Sequence, residues 1–81
     1  MAQHTSDESI FAKIRGLVHE EQRLYGQNEL ADHDQVRLEQ IKVELDQCWD
    51  LLRQRDARRE CGQDPDRAKV RPASVVEGYK Q

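Results

Sequence analysis

A long segment without glycine or proline most limits what this chain can fold into. After Asp32 the sequence contains neither residue until Gly62, and Pro65 follows just beyond. The apolar positions of this segment step by three and four residues: they are Leu38, Ile41, Leu45, Cys48 and Leu52. Such spacing is typical of the narrow apolar seam in coiled-coil-like packing. We therefore predict one long helix, capped at its start by Asp32 with Gln35 three residues on.

A shorter amphipathic helix is predicted before the long one. Thr5 and Glu8 have the spacing of a capping box, so this first helix should begin at about Asp7. Its apolar positions share one face: they are Ile10, Ile14, Leu17, Val18, Leu24 and Tyr25. Gly26 is a natural stop, and the connection 26–31 is short enough to place the helices antiparallel. The expected fold is all-α, an antiparallel, coiled-coil-like two-helix hairpin.

The sequence changes character after Gly62. Residues 63–81 contain both prolines of the chain and show no sustained apolar period. We therefore divide the chain into a helical hairpin, residues 1–62, and an irregular C-terminal tail, residues 63–81. Asp64-Pro65 can start one short helical turn, and Ser74 with Glu77 can start another.

Glu21 occupies a position within the apolar seam of the first helix. A charge there is unfavourable unless it is paired, and Arg37 or Gln40 would lie opposite it in an antiparallel hairpin. A hydrogen bond that fixes the register is the simpler interpretation. A catalytic carboxylate is the alternative, but the neighbourhood offers no partner acid or base.

The two predicted helices differ in length. At their usual rise the first is about 28 Å long and the second about 45 Å, so residues 51–61 project if the helices meet flush at the loop. Arg55 and Arg59 continue the seam there in place of apolar residues. A projecting helix end needs tertiary contacts to stay helical. Three covers remain open: a second copy, a foreign protein, or the chain's own tail through Val70, Val75, Val76 and Tyr79.

Trp49 begins a surface with the composition of an interface hot spot. The candidate interaction residues are Trp49, Leu51, Leu52, Arg53, Arg55, Arg58 and Arg59. The main hypothesis is a non-enzymatic interaction or adaptor module that dimerises through them into a helical bundle. A simpler role for Trp49 is to close the open end of the hairpin.

The arginines of this surface also allow a different function. Guanidinium groups pair with phosphate, so the alternative is a nucleic-acid or ribosome-associated regulator, with help from Arg67, Lys69 and Arg71. Against it, the formal net charge is −3, Asp56 and Glu60 interrupt the run, and no nucleic-acid-binding motif is present. Cations at the end of a helix also offset its macrodipole without any ligand.

Residue types that carry chemistry are scattered. The histidines, His4, His19 and His33, form no ligand set, and no serine has a neighbouring histidine. Cys48 and Cys61 would lie about 20 Å apart on one helix, too far for a disulfide. We therefore predict no enzyme activity, no catalytic residue, no cofactor and no metal. A thiol sensor acting through Cys61 is a third hypothesis.

The location is expected to be cytoplasmic, with no membrane partner. No apolar stretch approaches the length that spans a bilayer, and the polar start of the sequence lacks the apolar region of a signal peptide.

The segment from Glu44 to Arg59, which reads ELDQCWDLLRQRDARR, resembles the hallmark of a family of small actinobacterial proteins, the domain-of-unknown-function family numbered 2630. The resemblance extends over almost the whole chain. It includes Glu20 and Glu21 in the first helix, Asp64-Pro65, and the late segment from Val70 to Tyr79. It implies a bacterial, cytoplasmic protein, and it brings no activity, cofactor or catalytic residue. Where members often read Leu-Ser-Pro before the second helix, this chain has Leu30-Ala31-Asp32.

Overall fold

The structure is a computed structural model, and it describes residues 6–77. Helix α1 spans Asp7–Tyr25 and helix α2 spans Asp32–Glu60. A 3₁₀ turn at Pro65–Arg67 and a short helix α3 at Ala73–Glu77 follow. The all-α hairpin with a long second helix is confirmed, and within the tail the two predicted short turns are present.

Both long helices begin with caps that differ slightly from the prediction. At α1 the Ser6 hydroxyl accepts a hydrogen bond from the backbone N–H of Ser9 at 3.1 Å. In return, the Ser9 hydroxyl accepts one from the backbone N–H of Ser6 at 3.1 Å. The predicted Thr5 lies outside the described residues. At α2 the cap residue is Ala31, whose backbone N–H donates to Asp34 Oδ2 at 3.2 Å. The predicted Asp32 cap is therefore wrong, because the helix starts one residue earlier and its third residue supplies the carboxylate.

The core lies between the facing seams of α1 and α2. Ile41 at its centre is fully buried, and Leu45, at a predicted seam position, is only partly buried. The other buried apolar residues of the two helices are Ile10, Ile14, Leu17, Leu24, Leu38, Cys48, Leu51 and Leu52. The step of three and four residues thus identified the packed face of each helix, except at Tyr25, which was predicted on this face and is 54% exposed.

Contacts between charged side chains fix how far α1 runs along α2. Asp7, the first residue of α1, accepts a hydrogen bond from Arg55 Nε at 2.6 Å. The rise per residue is the same in both helices, so Tyr25 then lies near Arg37 and the first turn of α2 extends beyond α1. The prediction that residues 51–61 project is therefore wrong in extent: only the residues beyond Arg55 extend past α1, because the extra length of α2 is shared between its two ends.

Arg37 links the two helices by binding Glu20, the residue next to the predicted Glu21. Its Nε and Nη2 donate to the two carboxylate oxygens of Glu20 at 2.7 and 2.9 Å, and its Nη1 donates to Glu44 at 3.0 Å. The expected pairing with Glu21 is wrong, because the carboxylate on the flank of α1, and not the one within the seam, reaches the guanidinium.

The tail turns back at Gly62 and runs along α2. Gly62 has φ +72°, and its N–H donates to the Arg59 carbonyl at 3.1 Å. The next N–H, of Gln63, donates to the Arg58 carbonyl at 2.7 Å, which completes a Schellman motif. Ala68 and Val76 of the tail are buried. The tail is therefore packed on the hairpin.

Candidate interaction surface

Arg55 joins the tip of the hairpin to the tail. It is only 4% exposed. Besides Asp7, its guanidinium reaches the tail, where Nη1 donates to the Pro65 carbonyl at 3.2 Å and to Asp66 Oδ1 at 3.0 Å. Hydrogen bonds from Arg59, at 2.7 Å, and from Arg55 hold the pKa of Asp7 below its usual range. The two seam arginines are thus bound to carboxylates of the same chain.

Asp50 anchors the tail from within α2. Its side chain is 1% exposed, and both carboxylate oxygens accept from the guanidinium of Arg71, with a distance of 2.9 Å from Nε to Oδ2. Gln54 Nε2 donates to the same Oδ2 at 2.9 Å. These hydrogen bonds lower the pKa of Asp50, and the bond from Arg71 has the largest effect. The periodicity of α2 gave no sign of this residue, because Asp50 lies outside the seam.

Two glutamines of α2 bind the backbone of the tail. Gln54 Nε2 donates to the Lys69 carbonyl and Gln47 Nε2 to the Arg71 carbonyl, at 2.9 and 3.1 Å. Of the three covers left open for the tip, the chain's own tail is the one observed. The overhang therefore gives no reason to require a partner. Val76 contributes as expected, Val70 and Val75 remain exposed, and Tyr79 lies outside the described residues.

The seven candidate interaction residues do not form one surface. Leu51, Leu52 and Arg55 are buried within the chain. Arg59 donates to Asp56 as well as to Asp7, and Arg58 donates to Gln63 Oε1 at 3.3 Å. Trp49 and Arg53 remain exposed. The hot-spot composition seen in the sequence thus combines core, tail-binding and surface positions.

Trp49 instead belongs to a surface that crosses both helices. Its ring meets that of Phe11 edge-on, with centroids 6.2 Å apart and an interplanar angle of 74°. Phe11 is 41% exposed and Trp49 44%. Val18 and Leu45 pack partly buried against the core on the same flank. We call these four residues, Phe11, Val18, Leu45 and Trp49, the aromatic face.

Sequence reasoning missed Phe11 because it followed the buried seam of α1. A second pattern was present: Phe11, Val18 and Tyr25 recur at intervals of seven residues, which places them along one flank of the helix. Tyr25 is 54% exposed at the other end of that line.

Among residues 6–77, no group of three or more histidine, cysteine or acidic side chains is placed to hold a metal ion. None of the helices in this range combines the length and the apolar character that a bilayer span requires. Cys48 is buried and Cys61 is exposed, and neither forms a disulfide. His4, one of the three histidines considered as ligands, lies outside the described residues.

Comparison with known proteins finds one family and several relatives, all of them uncharacterised. The profile of a family described as "Protein of unknown function (DUF2630)" matches residues 6–81. Uncharacterized proteins of Mycobacterium bovis and of two Mycobacterium tuberculosis strains are 50% identical over 78 residues, which cover 91% of this chain and 90% of each relative. No solved structure matches significantly.

Proposed function

We propose that this chain, which belongs to the DUF2630 family of proteins of unknown function, is a non-enzymatic interaction or adaptor module that self-associates through its aromatic face. The single observation that supports this is the Phe11–Trp49 pair. Two large rings in mutual contact leave more than two fifths of their surface in water. Aromatic rings exposed together are enriched at the centres of protein interfaces.

A second copy of the chain is the partner that this face fits best. Both helices contribute to the face, so two hairpins stacked face to face would bury both aromatic pairs and form a four-helix bundle. In a two-fold interface the same patch must complement itself.

Sedimentation equilibrium at micromolar concentration tests the proposal. We expect a mass of at least twice 9.5 kDa for the wild type. The double variant Phe11→Ala, Trp49→Ala should sediment as a monomer and keep its helical circular dichroism, because both side chains lie outside the buried core. A wild type that stays at 9.5 kDa over the whole concentration range would overturn the proposal.

Val36 and Val75 supply the matched control. Both are exposed apolar side chains outside the aromatic face, at 53% and 45%. The double variant Val36→Ala, Val75→Ala should keep the mass of the wild type. A loss of mass in this control would show that association is not specific to the aromatic face.

The nucleic-acid alternative has less support. Arg55 and Arg59 bind carboxylates of the same chain, so a phosphate would have to displace them. The thiol-sensor hypothesis requires an accessible thiol, and Cys61 is exposed. Both remain predictions: the first requires salt-dependent binding of RNA or DNA, and the second a dimer fraction that responds to oxidant.

A further inference from the structure

A groove of about 340 Å³ lies between α1, α2 and the tail. Its floor is apolar, formed by Ile10 and Leu51 with the thiol of Cys48, and Val70 of the tail forms one wall. The groove is on the side of the hairpin away from the aromatic face, because Lys13 at its edge is two residues from Phe11 and so more than half a turn around α1. Its volume is at the lower end of the range for sites that bind small molecules.

The floor of the groove carries no charge at neutral pH. Burial is the main cause that raises the pKa of the Cys48 thiol; the positive charge of Lys13 opposes it, and the nearby Glu44 acts in the same direction as burial. The thiol therefore stays protonated and serves as part of an apolar surface. A ligand in contact with this floor should present an apolar body.

Lys13 is the rim residue that remains available to a ligand. Glu44 on the opposite side already binds Arg37 at 3.0 Å, and the amide group of Gln47 donates to the Arg71 carbonyl at 3.1 Å. Within residues 6–77, Lys13 makes no hydrogen bond or ion pair.

The two signs of charge are therefore not equivalent at this rim. A cationic ligand would compete with Arg37 for Glu44. An anionic ligand can bind the Lys13 ammonium without breaking any bond of the protein, and charge-assisted hydrogen bonds of this kind are the stronger class.

We propose that the groove binds a small amphipathic carboxylate, with its apolar body on Ile10, Leu51 and Val70 and its carboxylate on Lys13. This site does not depend on self-association, since it uses none of the residues of the aromatic face. Loss of the dimer and loss of the ligand can therefore be observed separately.

Octanoate is the probe, titrated below its micelle concentration into ¹⁵N-labelled full-length protein. We expect saturable amide shifts that concentrate at residues 10–13, 47–51 and 70. Octanol and octylamine at the same concentrations should bind at least tenfold more weakly. Equal binding of octanol would overturn the assignment of an anionic ligand, and shifts centred on the Trp49 indole would overturn the assignment of the groove.

Substitutions of exposed residues test the two halves of the site. Lys13→Gln should raise the Kd for octanoate about tenfold, as expected from loss of a hydrogen bond to a charged group. Arg15→Gln, on the same helix but outside the groove, should leave it unchanged. An unchanged Kd in Lys13→Gln would overturn the role of Lys13.

Val70 gives a second variant that should not affect folding, because its side chain is 59% exposed. Val70→Glu places a like charge at the wall of the groove and should abolish octanoate binding. Val75→Glu, at a similarly exposed position of the tail outside the groove, should bind like the wild type. Undiminished binding by Val70→Glu would overturn the proposed site.

Discussion

Asp50 is the buried acidic residue of α2 that, together with Arg55 and two glutamines, holds the tail on the hairpin. Its carboxylate is buried but remains charged, because Arg71 and Gln54 donate hydrogen bonds to it. Within residues 63–77 of the tail, only Ala68 and Val76 are buried apolar residues. A buried carboxylate without its partners is costly, so this contact favours the docked position of the tail strongly over alternatives.

The folding stability should depend on pH through this carboxylate. The pKa of Asp50 is lower in the folded protein than its ordinary value of 3.8, and those of Asp7 and Glu20 are also lowered, chiefly by hydrogen bonds from Arg59 and Arg37 respectively. As the pH falls, the unfolded chain therefore takes up protons first. The stabilisation is complete above the unfolded pKa values and is lost as the pH falls through the lower folded ones.

Replacing Asp50 tests this dependence. Asp50→Asn should lower the free energy of unfolding by about 2 kcal/mol at pH 7, and the difference from wild type should narrow as the pH falls toward the folded pKa. Urea titrations followed by circular dichroism at several pH values measure it. Asp56→Asn is the control, since its exposed pair with Arg59 should contribute less than about 1 kcal/mol. A gap that stays constant with pH would contradict the assigned role of the charge.

At the scale of elements, the end of α2 determines where the tail goes. Gly62 adopts the left-handed conformation that the Schellman motif requires, and a side chain with a β-carbon is strained there. The chain then leaves α2 in the direction that lets Asp64 cap the 3₁₀ turn, where its side chain accepts from the Asp66 N–H at 2.9 Å. A local backbone preference therefore directs a long-range contact.

Gly62 at the end of α2 and Gly16 within α1 should respond oppositely to replacement by alanine. Gly62→Ala should destabilise the protein by about 1 kcal/mol, because alanine disfavours φ +72°. Gly16→Ala, inside α1 with open space around its added β-carbon, should stabilise it by roughly 0.5–1 kcal/mol. Thermal and urea unfolding of both variants measure the effect. Equal effects of the two substitutions would show that the conformation at Gly62 is not what matters.

At the scale of the whole molecule, Arg55 connects three segments that are distant in sequence. It reaches Asp7 at the start of α1 and both Pro65 and Asp66 in the tail. The start of α1, the end of α2 and the 3₁₀ turn therefore meet at one guanidinium. Its planar fork of donors serves several acceptors at once, which an ammonium group cannot reproduce in the same geometry.

A conservative substitution should reveal this role. Arg55→Lys should cost about 2 kcal/mol of stability, because at least one of the three acceptors loses its donor in a buried site. Arg53→Lys, two residues away and exposed, should stay within about 0.5 kcal/mol of wild type. Urea denaturation provides the comparison, and an Arg55→Lys variant as stable as wild type would show that charge alone is sufficient.

The two helices and their facing seams follow from the amino-acid sequence alone. Residues such as Leu38, Ile41 and Cys48 indicate the buried face through spacing alone, and Gly26 and Gly62 mark the ends of α1 and α2. These signals are local: periodicity, caps and breakers act within a few residues of one another. The hairpin could therefore be predicted before any tertiary contact was known.

The register of the hairpin, the position of the tail and the surface that stays exposed depend instead on tertiary contacts. Three contacts depend on how separate segments align in space. Arg37 binds Glu20 and not Glu21, Asp50 binds Arg71, and Phe11 and Trp49 form one exposed pair. A shift of one residue along a helix turns a side chain by about 100°, so such pairings follow from packing of the whole chain and not from any one segment of it.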